Sequence, residues 1–140
     1  MEVLGETLHL KILSNSERVI AAIDVMRIYK SIGWWEERRE EEISLILQHG
    51  VYVGAWENDE LVGFARAVTD GVFRAYIEDV IIHRSFQKEG FGKNLVAKLL
   101  EELSNIDIIS LFCEEEYIPF YEHNDFKKMK SQFVMHKMNE

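Results

Sequence analysis

Polar and apolar residues alternate over Leu8-His9-Leu10-Lys11-Ile12-Leu13, which predicts a first strand broken by Ser14-Asn15-Ser16. The period then changes. Ile20, Ile23, Val25, Met26, Ile28 and Tyr29 recur at helical spacing and predict a helix over 20–31, with Gly33 as its stop. A second helix over 37–48 presents Ile43, Leu45, Ile46 and Leu47 and stops at Gly50. Strands at 51–56 and 61–68 flank the polar turn Glu57-Asn58-Asp59-Glu60 and predict a hairpin. Another strand follows over 75–83. Leu95, Val96, Leu99, Leu100 and Leu103 then mark the buried stripe of a further helix. Residues 106–113 read as a strand, 117–122 as a short helix with Pro119 in its first turn, and Ser131–Lys137 as a final strand.

The predicted order is β, α, α, β, β, β, α, β, α, β. It describes an α/β domain, more closely an α+β mixed sheet that is mostly antiparallel, with residues 1–140 as a single unit. The passage from strand 75–83 through a helix to strand 106–113 requires a parallel pair with a right-handed crossover.

Charge narrows the function. Twenty-five acidic residues against sixteen basic give −9, which disfavours sequence-independent nucleic-acid binding, since phosphate neutralisation supplies most of that affinity. Cationic small molecules or basic peptides suit such a surface better. Cys113 is the only cysteine, so no internal disulfide forms. No apolar run is long enough to span a membrane, and Met1-Glu2 opens no secretory signal, so a cytoplasmic location with no membrane partner is expected. The five histidines lack metal-ligand spacing, and no metal is expected.

The chemistry concentrates in Gln87-Lys88-Glu89-Gly90-Phe91-Gly92-Lys93, between the strand ending at Ile82 and the helix beginning near Asn94. Glycines let successive N–H groups converge on an anion, and the helix that follows aims its unpaired N–H groups and positive dipole end at the same place. This is neither a P-loop, which needs four residues between its glycines, nor a dinucleotide fingerprint, whose third glycine position is Leu95. A plain strand-to-helix turn is the competing reading.

Gln87-x-x-Gly90-x-Gly92 after a hydrophobic strand resembles the coenzyme A motif of the GNAT superfamily of N-acetyltransferases. Pro119-Phe120-Tyr121-Glu122-His123-Asn124-Asp125-Phe126 is similar to that family's late Phe-Tyr-x-x-x-Gly-Phe signature, with Asp125 in the glycine's place. Ser31-Ile32-Gly33-Trp34, between the first helices, is a third point of similarity. Arg84 stands where proline is common, and no asparagine contact carries over at Cys113-Glu114-Glu115-Glu116.

The resemblance implies a GNAT-like acyl-coenzyme A fold whose parallel strands at 75–83 and 106–113 splay apart. It implies an enzyme that uses acetyl-coenzyme A as cosubstrate and acetylates a primary amine, on a small molecule or peptide, by direct attack. The cofactor edge would be Val80, Ile81 and Ile82, and the pyrophosphate seat Gln87, Lys88, Glu89, Gly90, Phe91, Gly92 and Lys93. An oxyanion donor is expected from a main-chain N–H near Ile81. Tyr121 is the implied proton donor to the leaving thiolate. Glu78, a carboxylate interrupting an apolar strand, is the candidate base, with Asp79 or water as competitors. Alternation places Glu78 and Asp79 on opposite faces. Trp34 and Trp35 fall where the family covers the acceptor. Cys113 lacks a partner base and reads as an inert core thiol. A non-catalytic acyl-coenzyme A sensor of the same fold is the rival reading, and a homodimer stays open.

Overall fold

In a computed structural model of the chain, which describes residues 10–139 and the backbone of 2–3 and 6–7, the central runs build one five-stranded sheet. Its strands, in spatial order, are β3 (Lys11–Ser14), β4 (Val51–Glu57), β5 (Glu60–Thr69), β6 (Arg74–Ile82) and β7 (Ile108–Leu111). Three pairings are antiparallel, and β6–β7 is parallel. Two short strands, β1 (Glu2–Val3) and β2 (Glu6–Thr7), pair antiparallel ahead of it. Leu8 and His9, which begin the expected first strand, lie outside the described residues. The expected hairpin forms with a tighter loop: Glu57 opposes Glu60, and Asn58 takes φ 55°. After β5, Asp70 Oδ1 accepts from the N–H groups of Val72, Phe73 and Arg74 and fixes the next turn.

Helices cover both faces. Helix α1 (Ala22–Ser31) and α2 (Glu40–Gln48) bury Val25, Ile28, Tyr29 and Ile43 against Phe64 and Ile81. Glu42 accepts from the Arg39 N–H at 2.8 Å, tying off the start of α2. Helix α3 (Phe91–Glu102) lays Leu95 and Leu99 on the other face, over Ala55, Ala65, Ala67 and Ala75. The small sheet residues let α3 come close. A Cβ at Gly63 would stand 3.0 Å from Leu95 Cδ1 and 2.8 Å from Ile82 Cδ1. Burying each leucine of this stripe stabilises the fold by about 1.5–3 kcal/mol. Among the described residues no helix is long and apolar enough to cross a membrane.

The C-terminal end departs from expectation. β7 is shorter than predicted, and helix α4 (Ile118–Glu122) is little more than one turn. The final strand expected over Ser131–Lys137 does not form; Phe133 is 85% and Met135 91% exposed. Alternation produces a strand only where one set of side chains gains burial. Here Val134, on the opposite parity, is exposed as well, so neither set does.

Candidate active site

β6 outruns its parallel neighbour. The β6–β7 ladder ends at Ile77 opposite Leu111, whereas β6 continues to Ile82, so its last residues present an open edge. His83 N–H donates to Val62 O at 2.8 Å. Bonded and non-bonded pairs alternate in an antiparallel ladder, so Ile81 opposite Phe64 is a bonded pair. The Ile81 main chain is therefore turned to β5. The N–H groups of Val80 and Ile82 face the gap. Gln87 Nε2 donates to Ile82 O at 3.1 Å, which ties the turn to the strand end.

Beyond the strand, Arg84–Phe86 forms a single 3₁₀ turn, with His83 Nδ1 accepting from the Ser85 N–H at 3.1 Å. Lys88 and Gly90 take φ 67° and 83°. Two left-handed residues this close fold the backbone into a concavity of N–H groups. Gly90 is the N-cap of α3, with no side chain capping it. The first-turn N–H groups at Phe91, Gly92 and Lys93 have no intrahelical partner. Space around Gly90 is open, so its glycine is required by φ alone. A Cβ at Gly92 would meet Phe120 Cζ at 3.9 Å, which places α4 beside the first turn of α3.

The carboxylates are arranged by a bulge. Arg66 pairs with Asp79 and Ala67 with Ile77, leaving Glu78 without an opposite residue. Ile77 therefore faces the α3 layer and Ile81 the α1–α2 layer. The bulge cancels the alternation expected at this point. Glu78 and Asp79 both reach one guanidinium rather than opposite faces: Arg66 Nε lies 2.9 Å from Asp79 Oδ2, and Nη2 lies 4.0 Å from Glu78 Oε1. Asp79 is 2% exposed and also accepts from Tyr29 Oη at 2.8 Å. Burial first, then the Asp79 charge, pushes the Tyr29 phenol well above its usual range. Tyr76, beside Glu78 on the strand, is pushed up to about 12 by burial first and then by Glu78. Asp79 is thus buried with two donors on its Oδ2, whereas Glu78, beside the Tyr76 hydroxyl, is the more accessible carboxylate.

Tyr121 is half-buried between Phe120 and Phe126, with ring centroids 4.9 and 5.8 Å away. Burial first, then the neighbouring Cys113 and Tyr117, raises its pKa to about 12. Asp125 adopts φ 67°, the left-handed conformation that the family's glycine would supply, and the Phe126 N–H closes back on Tyr121 O at 3.1 Å. Cys113 is exposed at the end of β7 rather than buried in the core. Trp34 and Trp35 are partly exposed between α1 and α2, with Arg38 stacked 3.9 Å over the Trp35 ring. Arg66 and Tyr29 escaped the sequence reading. Arg66 had a signal: it is the one charged residue within Leu61–Val68. Tyr29 had none, because it occupies an ordinary apolar position of an amphipathic helix. Among the described residues no three histidine, cysteine, aspartate or glutamate side chains converge as metal ligands.

Comparison with known proteins agrees with this geometry. Residues 20–126 match the Acetyltransferase (GNAT) family. The chain is 36% identical over 123 residues to a Porphyra purpurea protein described as uncharacterized N-acetyltransferase ycf52, covering 83% of this chain and 70% of that protein. Its counterpart in Gracilaria tenuistipitata is 33% identical over 110 residues, covering 74% of this chain and 60% of that protein. This chain thus spans between three fifths and seven tenths of those relatives' length. Among solved structures, a GNAT-family acetyltransferase from Streptococcus pneumoniae superposes with a TM-score of 0.79 at 26% identity, covering 94% of this chain and 98% of that one.

Proposed function

The chain belongs to the GNAT acetyltransferase family, and from that premise we propose that it is an N-acetyltransferase that moves an acetyl group from acetyl-coenzyme A to a primary amine by direct attack. The carrying observation is the open edge of β6 leading into an uncapped helix start, a seat suited to amides and then to a pyrophosphate. Bound there, acetyl-coenzyme A supplies an activated thioester. The Lys88–Lys93 main chain would hold the diphosphate, with Lys88 or Lys93 adding a point charge. The outward N–H groups of Val80 and Ile82, flanking Ile81, would hold the amide arm and donate to the acetyl carbonyl oxygen as charge builds there. Gln87 keeps the turn docked on the strand.

Glu78 accepts the proton an ammonium must lose before its nitrogen has a lone pair, directly or through one water. The nitrogen then bonds to the acetyl carbon, the carbon–sulfur bond breaks, and the second amine proton leaves for the thiolate or solvent. Tyr121 keeps its proton at neutral pH. Full transfer to a thiolate would run uphill by roughly three pK units, so Tyr121 acts as a hydrogen-bond donor to the departing sulfur. Trp34 and Trp35 would wall the acceptor side, and the acidic surface favours a cationic acceptor, small molecule or peptide. The lone cysteine suits a reducing, cytoplasmic setting.

The test is thiol release from acetyl-coenzyme A across an amine panel: arylalkylamines, polyamines, aminoglycosides and amino-terminal peptides. Amine-dependent release supports the assignment. Saturable acetyl-coenzyme A binding with no release from any acceptor would instead indicate a sensor.

A further inference from the structure

Arg66 stands where the β5–β6 pairing register breaks, and two carboxylates converge on it. We infer that Arg66 is a positioning residue that holds the β6 bulge and presents Glu78 as a proton acceptor, an inference that rests on the proposed acetyltransferase reading. Two adjacent carboxylates on one side of a strand repel each other, and the bulge that brings them together needs a cation between them. Arg66 provides it unequally. Its Nε makes a short bond to the buried Asp79, which the Tyr29 hydroxyl holds from α1. Its Nη2 stops 4.0 Å from Glu78, near enough for charge and too far for a hydrogen bond. Glu78 is thereby held by charge on the Arg66 side and by the Tyr76 hydroxyl on its own strand, with acceptor capacity to spare. A lysine ammonium cannot do both tasks, because it lacks the fork that reaches two partners from one plane.

The groups that face the guanidinium are Glu78 and Asp79 on β6 and Tyr29 on α1, with Tyr76 beside Glu78 and Arg38 beyond Tyr29. Their charges predict shifts of opposite sign. Removing Arg66 takes a cation from Glu78 and raises the pH at which it loses its proton. Neutralising Asp79 removes an anion and frees Arg66 for Glu78, which lowers that pH.

The experiment is the pH profile of kcat/KM, read on its acidic limb, with acetyl-coenzyme A affinity measured in parallel by calorimetry. The reference is Glu78→Gln, in which this limb should vanish; if it persists, Glu78 is not the base and the inference falls with that assignment. If the limb vanishes, Arg66→Met should move it up by about one pH unit or more and Asp79→Asn should move it down. Acetyl-coenzyme A affinity should change less than threefold in both. Arg66→Lys, the variant expected to fold if Arg66→Met does not, should keep the limb near its original pH while kcat falls at least tenfold. Limbs that stay in place, or that move the same way in the Arg66 and Asp79 variants, overturn the inference and leave the acetyltransferase reading standing.

Discussion

The stretch from β6 through the glycine turn into α3 and the stretch after β7 both carry apolar residues at regular intervals, yet only the first is fully built. β6 lies between two helical layers. Ala75 and Ile77 pack under α3, and Ile81 packs under α1 and α2. The segment 131–137 has no layer over it and leaves Phe133, Val134, Met135 and then Met138 in solvent. Periodicity states which face wants burial; the neighbouring layers decide whether it receives any. The proposed site straddles this divide. Its anion seat sits on the well-packed stretch, and Tyr121 comes from the short helix α4 of the other.

Truncating the packed stretch should cost most. Leu99→Ala is expected to destabilise the fold by about 2–5 kcal/mol in urea denaturation, since Leu99 is wholly buried between α3 and the sheet. A loss below about 1 kcal/mol would remove the contrast between the two stretches. Tyr121→Phe should lower turnover about a hundredfold while leaving acetyl-coenzyme A affinity within a factor of about two. Unchanged turnover would strip α4 of its chemical role. Gly90→Ala forces a side chain into φ 83°, at a cost of about 1–2 kcal/mol, and should weaken acetyl-coenzyme A binding about tenfold by calorimetry.

Tyr29, Tyr76 and Tyr121 all have phenol pKa values raised by burial. Below the unfolded value both states keep these protons and their stabilising contribution is fully present. As pH rises past about 10 the unfolded chain releases them first, so the melting temperature should fall from there toward pH 12. A flat melting temperature across that range would contradict the burial of these rings. Phe133→Ser should be the smallest effect, within about 0.5 kcal/mol, because the ring is already in solvent.

Much of this was legible in the residues. The helical stripes, the hairpin, the crossover and the glycine turn each have a local cause, and Asp125 takes the left-handed backbone its small polar side chain tolerates. The bulge at Glu78 was not legible. A register slip arises from how β5 and β6 pair, and nothing within either strand's own pattern announces it. It reversed the expected facing of Glu78 and Asp79 and brought in Arg66 and Tyr29. The unformed strand at 131–137 failed for the opposite reason, since its local pattern was sound and its surroundings supplied no cover.

The central claim is that main-chain N–H groups at the end of β6 and in the glycine turn hold acetyl-coenzyme A. The most direct test follows backbone amide resonances during titration with acetyl-coenzyme A. Saturable shifts at Val80, Ile82 and residues 88–93, with residues 131–139 unmoved, are the predicted result. Saturable binding whose shifts lie elsewhere, or no shifts at all on folded protein, would contradict it.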